Sequence, residues 1–375
     1  MRTKITEMLD IEFPILGFTH CRDVAAAVSG SGGFGVLGAS AATPEELDWI
    51  EGHIGPSHGY GLDTLIPAKR ADVGADSAAR VEDLIPVAHR EFVADLLARY
   101  DVPPLPEGGA LGAAGSSMAM SDNQSRAAEL IDIAISRPQI KLVASALGPP
   151  PRSMVELAHK HGVLVAALVG SRQHAERQMA VGVDIIVAQS YEAGGHTGEI
   201  GGMVLIPEIV DTVAPIPVLA AGGIASGRQL AAAMALGAQG VWCGSVWLTT
   251  HEAETHPVVK QKFLAASSSD TLRSRSSTGK HARQLRSAWT DEWEDPRNPD
   301  PLGMPLHGLL IAEAKERISR AAYKEGSGAE RLVNYFVGQV VGSLNREMSA
   351  RQVILEMVEE YIDVVQQSAA MLDAD

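Results

Sequence analysis

The sequence has little cysteine, a shortage of basic residues and no long apolar run without charges. Of its 375 residues only Cys21 and Cys243 are cysteines, which excludes a disulfide framework or a four-cysteine zinc cluster and fits a reducing compartment. The 31 Lys and Arg face 46 Asp and Glu, and the net charge of −15 argues against nucleic acid or an anionic membrane as partners. The N-terminus lacks the apolar core of a signal peptide and no stretch could span a bilayer, so we predict a cytoplasmic protein.

Short apolar runs alternate with amphipathic segments along most of the chain. The runs are continuously apolar, which is typical of parallel strands that helices cover on both faces of the sheet. Eight such runs favour a closed barrel over an open sheet. We therefore predict the α/β class and a (β/α)8 TIM barrel whose strands contain, in order, FPILG, FGVLGAS, YGLDTLIP, IKLVASALG, VLVAALVG, VDIIVAQ, IPVLAAGG and GVWCGS.

Two segments interrupt this alternation. Residues 68–137 read as a helical insertion after the third strand, and residues 251–375 read as a loop followed by a helical subdomain. We predict a barrel domain over residues 1–250 that includes the insertion, with both extra segments packed over the face from which the βα loops emerge. At a smaller scale, Thr43, Pro44 and Glu46 predict a complete capping box at a helix start.

Glycines follow the seventh and eighth strands, where a barrel of this kind commonly binds phosphate. Gly222 and Gly223 end one strand, and Gly244 and Ser245 end the next. Their backbone N–H groups could face an anion, while Ser226 could cap the helix that begins near Gly227, whose N-terminus attracts negative charge. Glycines that merely end strands are the alternative for either loop alone, but two such loops together favour a phosphate site.

The stretch AQSYEAGGHTGEIGG, residues 188–202, surrounds His196 with five glycines after the sixth strand. A histidine at this end of a barrel strand is placed for proton transfer or for stabilising a developing anion. The alternative is a histidine that only stabilises a turn. Glu192 could pair with His196 on a metal, but no further ligands are visible, and we predict no metal. A Cys21–His20 nucleophile pair is a further candidate, and ordinary loop residues are the simpler interpretation of those two positions.

The residues from about Ile140 to Thr250 resemble the nitronate monooxygenase family, also called 2-nitropropane dioxygenase-like, a group of FMN-dependent barrel oxidoreductases. The resemblance is carried by AQSYEAGGHTG and by IPVLAAGGIASGRQLAAAMALGAQGVWCGSVWL. It implies that the glycine-rich histidine loop faces the flat flavin ring and that His196 is the catalytic base or a hydrogen-bond donor. The FMN contacts that it implies are Gln189, Gly194, Gly222, Gly223, Trp242, Cys243, Gly244 and Ser245.

Three positions depart from the family pattern. The family's asparagine after the third strand falls on Asp63, which places a carboxyl group where an amide would contact FMN. The segment GFTHCRD replaces the usual PM after strand one, so the floor of the pocket should differ. GSVW replaces the usual Gly-Thr, and we expect Trp247 near the active face.

The resemblance implies oxidation of alkyl nitronates, small-molecule substrates, by FMN and O2. A related alternative is an FMN enzyme that passes hydride from NAD(P)H to an enoyl thioester or quinone. The basic loop 271–287 could then meet a phosphate-bearing substrate, although a solvated surface loop is the simpler interpretation. A phosphate-binding isomerase or lyase without flavin, or a binding protein without catalysis, is a third alternative, and a homo-oligomer stays open. The basic side chains of that loop are Arg273, Arg275, Lys280, Arg283 and Arg286.

Overall fold

Eight parallel strands form a closed barrel in chain order, which confirms the predicted (β/α)8 fold. The computed structural model describes residues 1–38, 42–65, 83–106 and 123–372. Within them, no helix is both long and apolar enough to cross a membrane. The barrel strands are β1 (Ile15–Thr19), β2 (Phe34–Gly38), β3 (Tyr60–Leu65), β4 (Ile140–Ala146), β5 (Leu164–Val169), β6 (Ile185–Gln189), β7 (Val218–Ala221) and β8 (Gly240–Cys243).

The described α-helices surround this barrel or extend it. They are α1 (Lys4–Leu9), α2 (Arg22–Ser29), α3 (Pro44–Ile54), α4 (Val87–Arg99), α5 (Asn123–Ser136), α6 (Arg152–Lys160), α7 (Arg172–Val181), α8 (Gly202–Val213), α9 (Gly227–Ala235), α10 (Pro257–Ala265), α11 (Ala288–Glu294), α12 (Leu306–Ala321), α13 (Ala329–Leu332) and α14 (Ala350–Ala370). A two-stranded antiparallel hairpin, β9 (Thr271–Ser274) with β10 (Ala282–Leu285), precedes α11.

Alternate strand residues face the barrel interior and the surrounding helices. Phe34 and Leu142 belong to the interior cluster, which Ile5 and Leu9 of α1 also join. Leu62, by contrast, belongs to the cluster between the strands and the outer helices. Because both faces of each strand are buried, both faces carry apolar side chains, and this explains the continuous runs in the sequence.

The start of α3 forms half of the predicted capping box. The Thr43 hydroxyl accepts a hydrogen bond from the Glu46 N–H at 3.3 Å, and Pro44 occupies the first turn. The Glu46 carboxylate, however, lies 3.2 Å from the Arg22 guanidinium, so that carboxylate forms an ion pair with α2 instead of closing the box.

The predicted insertion divides into two parts. Residues 66–82 and 107–122 lie outside the described residues. Helix α5 packs on β3 and β4 through Leu130 and Ile131, as the barrel helix between those strands does. Helix α4 instead packs against α12 and buries Leu96 in a second core with the helices that follow β8. The barrel domain thus includes α5 as one of its own outer helices.

The last helix, α14, does not lie over the βα loops where we expected the C-terminal region. It packs between α9 and α2 on the outer wall of the barrel and buries Val353, Ile354 and Met357 there. This is the place of the eighth barrel helix. The chain therefore inserts the hairpin and the helices α10–α13 between β8 and the helix that covers it.

Candidate active site

The ends of β6, β7 and β8 lie side by side and bring most of the predicted site residues together. Gln189 ends β6 opposite Ala221 at the end of β7, and Ala221 pairs with Trp242 of β8. The loop after β6 reaches the next loop, since a β-carbon added to Gly223 would lie 3.2 Å from Cβ of Glu192. One face of the barrel thus presents Gln189, Gly194, His196, Gly222, Gly223, Gly244 and Ser245.

Four backbone N–H groups at this face are available to a ligand. Those of Gly222, Gly223, Gly244 and Ser245 donate no hydrogen bond to another residue of the described chain. Gly222 and Gly223 have φ angles of +104° and +71°, which only glycine adopts readily. Unpaired N–H donors on two neighbouring loops are chemically suited to a phosphate.

The N-terminus of α9, by contrast, already holds an anion. The carboxylate of Glu360, on α14, accepts hydrogen bonds from the N–H groups of Gly227 at 2.7 Å and Arg228 at 3.3 Å. Ser226 caps the same helix as predicted. Because Glu360 occupies this helix terminus, the predicted attraction of a ligand phosphate to it is wrong, and the free N–H groups of the glycine loops are the donors that remain.

His196 is held as a neutral imidazole with one nitrogen available. Its Nδ1 lies 3.1 Å from the carbonyl oxygen of His281. A carbonyl can only accept, so Nδ1 carries the proton and Nε2 presents its lone pair. Burial, with a smaller contribution from the positive charge of Lys280, lowers the pKa of His196, although the hydrogen bond to His281 opposes the shift. A neutral imidazole with a free Nε2 can act as a base at pH 7.

The glycines around His196 allow close backbone packing. A β-carbon on Gly194 would lie 2.8 Å from the carbonyl carbon of Val337, and one on Gly198 would lie 2.7 Å from the carbonyl oxygen of Gly170. Gly195, with φ of +72°, exchanges two backbone hydrogen bonds with Arg283 of β10. The close approaches that the glycine content predicts are therefore made at least in part to other protein backbone.

Two arginines of the basic loop hold the histidine loop in place. Arg283 is 2% exposed, donates from Nε and an Nη to the Tyr191 carbonyl at 3.2 and 3.0 Å, and lies over the Tyr191 ring. Arg273 donates to the Thr197 carbonyl at 3.3 Å. These contacts give the two arginines a structural role that the sequence alone did not reveal.

The other bases of this loop differ in surroundings. Arg275 donates to backbone carbonyls, and Arg286 forms an ion pair with Asp291 at 2.7 Å. Lys280 is exposed, and its charge acts on both His196 and His174. The Lys280 ammonium forms no hydrogen bond or ion pair with another described residue, and its positive charge acts on the candidate base.

Two predicted side chains lie behind the barrel wall. Cys243 is buried in the cluster between strands and helices, where burial raises the pKa of its thiol to about 12. Trp247 is 1% exposed, donates from Nε1 to the Cys243 carbonyl at 2.7 Å and packs behind Gly17 of β1. The expectation that Trp247 lies near the active face is thus wrong, and only the backbone of Cys243 can reach a ligand there. Trp242 does face the interior, stacked on Phe18 with ring centroids 6.1 Å apart.

The region after β1 separates the two members of the predicted Cys–His pair. The ring of His20 lies against Gly38, inside the barrel mouth. The Cys21 thiol joins the outer cluster and donates to the Glu252 carbonyl at 3.2 Å. The Cys21–His20 nucleophile pair is the less simple interpretation of the sequence, and the structure places these two side chains apart.

Possible metal ligands occur elsewhere in the described chain, where ligand atoms of Cys21, Asp23 and Glu254 fall within 4.8 Å of one another. The Glu192 carboxylate, by contrast, accepts a hydrogen bond from the Gly202 N–H at the start of α8.

Two residues that sequence reasoning missed connect the site to distant parts of the chain. Gly338 donates its N–H to the Ser245 hydroxyl at 2.8 Å, and a β-carbon there would meet the N–H of Gly194. Ser190 has a fully buried hydroxyl without a partner among the described residues, pressed against Gly222. Neither position carries a local sequence signal, because their partners are distant along the chain or belong to the next loop.

Known proteins resemble this chain in amino-acid sequence over most of its residues. The family model for nitronate monooxygenase matches residues 112–360. The chain is 58% identical to Rv1533 of Mycobacterium tuberculosis over 373 residues, which cover 98% of each protein. The description of Rv1533 assigns it monooxygenase activity provisionally and names no substrate. It is 31% identical over 235 residues to the probable nitronate monooxygenase of Bacillus subtilis, covering 60% of this chain and 65% of that one.

Solved structures share the complete architecture. FabK from Thermotoga maritima superposes with a TM-score of 0.69 at 25% identity, covering 99% of this chain and 99% of that one. Nitroalkane oxidase from Streptomyces ansochromogenes superposes with a TM-score of 0.76 at 23% identity, covering 97% and 99%. The barrel with its inserted helices is therefore an arrangement that other proteins share.

Proposed function

The chain belongs to the nitronate monooxygenase family, and from this premise we propose that it binds FMN at the barrel mouth and oxidises alkyl nitronates with O2. Membership makes it a flavin-dependent oxidoreductase. The observation that carries the finer proposal is that a neutral imidazole and the unpaired N–H groups of two glycine loops follow three neighbouring strands at one face of the barrel.

The residues at the barrel mouth fit FMN in three respects. The N–H groups of Gly222, Gly223, Gly244 and Ser245 would hold the phosphate, as predicted from the sequence. The side chains of Gln189 and Asp63 would meet the polar edge of the ring, since Asp63 has a buried Oδ1 without a partner in the described chain. Backbone at Gly194 and Cys243 and the indole of Trp242 would border the ring.

His196 would carry the proton chemistry. Bound FMN supplies the acceptor for the substrate's electrons and returns them to O2. The free Nε2 of His196 would remove the α-proton of a neutral nitroalkane, while Nδ1 keeps its hydrogen bond to the His281 carbonyl. A nitronate that arrives already deprotonated would need only orientation and a positive charge, which exposed Lys280 supplies nearby.

Anaerobic mixing of the FMN-loaded protein with a nitronate, and separately with NADH, tests this function. We expect the nitronate to bleach the flavin absorption band and NADH to leave it nearly unchanged. The reverse pattern would favour the NAD(P)H-dependent reductase of an enoyl thioester or quinone, for which Lys280 could meet a substrate phosphate. A protein that takes up no FMN would instead favour an isomerase or lyase.

The pH dependence of nitroalkane turnover should report the protonation of His196 and the effect of the Lys280 charge on it. Because the pKa of His196 is lowered, the rate should be constant through neutral pH and fall only when the pH drops below the ordinary histidine range. Lys280→Gln removes a positive charge that disfavours protonation, so the acid limb of kcat should move to higher pH. The exposed Lys160→Gln, on α6, is the matched control and should leave the profile unchanged.

Glu360→Ala tests which N–H groups hold the phosphate. The substitution leaves the N-terminus of α9 without its carboxylate and should cost about 1 kcal/mol in the free energy of unfolding. FMN affinity should stay within about twofold, because the proposed phosphate donors lie in other loops. Glu356→Ala on the same helix removes an exposed ion pair with Arg346 and should change neither quantity by much. A large change in FMN affinity for Glu360→Ala would place the phosphate at α9.

A further inference from the structure

Asp63 places a carboxyl group inside the barrel at its mouth. Gly61, two residues earlier on β3, faces Phe34 and Leu142 of the interior cluster, and Asp63 points to the same side because strand residues alternate. The residues opposite Asp63 are Gly38 on β2 and Ala144 on β4. Neither residue places a polar side-chain atom beside the carboxyl group, although the ring of His20 lies against Gly38.

Among the described residues, no cation or hydrogen-bond donor reaches Oδ1 of the Asp63 carboxyl group. Asp63 is 6% exposed, and its Oδ1 has no hydrogen-bond partner in the described part of the chain. A carboxylate without a cation or a donor in such surroundings is strongly disfavoured, so the group keeps its proton. Burial accordingly raises the pKa of Asp63 to about 8.

The described residues of the neighbouring strands do not reverse this preference. Strands β2 and β4 present Gly38 and Ala144 at the level of Asp63. The titratable ring closest to them is His20, which lies against Gly38. Burial of most of the ring lowers the pKa of His20, so the imidazole is neutral near pH 7 and offers no positive charge to Asp63.

We propose that Asp63 is an uncharged carboxylic acid that binds the flavin ring as an amide would, and that loss of its proton weakens flavin binding. This inference rests on the proposed function. A protonated carboxyl presents one O–H donor and one acceptor oxygen side by side, the same pair that a primary amide presents. The ionised form keeps only acceptors, so a flavin carbonyl beside it would lose its donor and face a negative charge.

The first experiment follows the carboxyl group without flavin. The ¹³C resonance of the Asp63 carboxyl, identified by its absence in Asp63→Asn, should titrate near pH 8 in the flavin-free protein. Because folding raises this pKa, the folded state holds the proton more tightly, and stability falls as the pH rises from about 4 to about 8. The difference in Tm between Asp63→Asn and the wild type should therefore grow over that window and level off above it.

The second experiment measures FMN affinity against pH. From about pH 7 to about pH 9.5 the Kd of the wild type should rise roughly thirtyfold, the linkage expected for one required proton with a pKa near 8. Asp63→Asn has no such proton, so its Kd should change only as the ionisation of FMN itself dictates. Asp211→Asn, an exposed acid on α8, should behave as the wild type.

The outcomes separate the two proposals. A carboxyl resonance that titrates near the ordinary aspartate value would overturn the neutral acid. Equal pH dependence of FMN affinity in the wild type and in Asp63→Asn would overturn its coupling to the flavin. If neither protein bound FMN at any pH, the proposed function would fail together with the flavin half of this inference. The flavin-free titration would still decide whether Asp63 is a neutral acid.

Discussion

His196→Asn should slow the turnover of neutral nitroalkanes by about 10²- to 10⁴-fold, the usual contribution of a general base. Asparagine fits the glycine-rich loop, and its amide can still donate to the His281 carbonyl as Nδ1 does now. The fold and the bound flavin should therefore survive. What asparagine cannot supply is the free basic nitrogen.

Comparison of two substrates isolates that loss. Preformed nitronates have already lost the α-proton, so the variant should oxidise them at rates much closer to wild type, with a defect confined to binding. Stopped-flow measurement of flavin reduction by each substrate gives both rates. His174→Asn is the control, because His174 also lies near Lys280 but sits on the first turn of α7. Wild-type rates for His196→Asn on a neutral nitroalkane would show that this histidine only stabilises a turn.

Gly223→Val should lower FMN affinity by roughly 10²- to 10³-fold, which corresponds to two lost hydrogen bonds to a charged group. The valine residue would have to adopt a backbone φ of +71°, and its β-carbon would crowd Cβ of Glu192 at 3.2 Å, so the strained loop would turn its N–H groups away from the phosphate. Titration of the flavin-free protein with FMN, followed by flavin fluorescence, measures the loss.

Gly162→Val separates the steric effect from backbone strain. Gly162 has φ of +72°, nearly the same as Gly223, and a β-carbon there would meet no atom within 4 Å. Gly162→Val should lose about 1–2 kcal/mol of stability, the cost of a left-handed residue with a β-carbon, and Gly223→Val should lose at least as much because its β-carbon also crowds Glu192. Only Gly223→Val should lose FMN. Equal FMN affinity in the two variants would move the phosphate away from the loop after β7.

The sequence was sufficient to predict the barrel because the patterns that indicate its strands and helices are local. Each apolar run and each amphipathic segment lies within a window of about ten residues, and eight repeats of the pattern leave few topologies open. The glycines after β7 and the histidine after β6 are local signals of the same kind. For these elements the sequence and the structure agree in type and in order.

What the sequence did not reveal depends on orientation or on distant contacts. Cys243 and Trp242 are adjacent in a strand that is apolar on both faces, so hydropathy could not show which side chain faces the interior. Glu360 caps a helix that begins 133 residues earlier. The helical periodicity of α14 predicts a helix, but every outer surface of the barrel offers a similar apolar groove, and the pattern alone does not select one.

The late position of α14 has a consequence for how the chain is made. During synthesis β8 leaves the ribosome roughly a hundred residues before the helix that covers it. Until then the groove between α9 and α2 is open, and the apolar residues that will contact Val353, Ile354 and Met357 are exposed to water and to other proteins. A nascent chain paused after β8 should therefore bind chaperones more strongly than one released after α14. The inserted hairpin and helices lengthen the interval in which this enzyme can aggregate before its barrel closes.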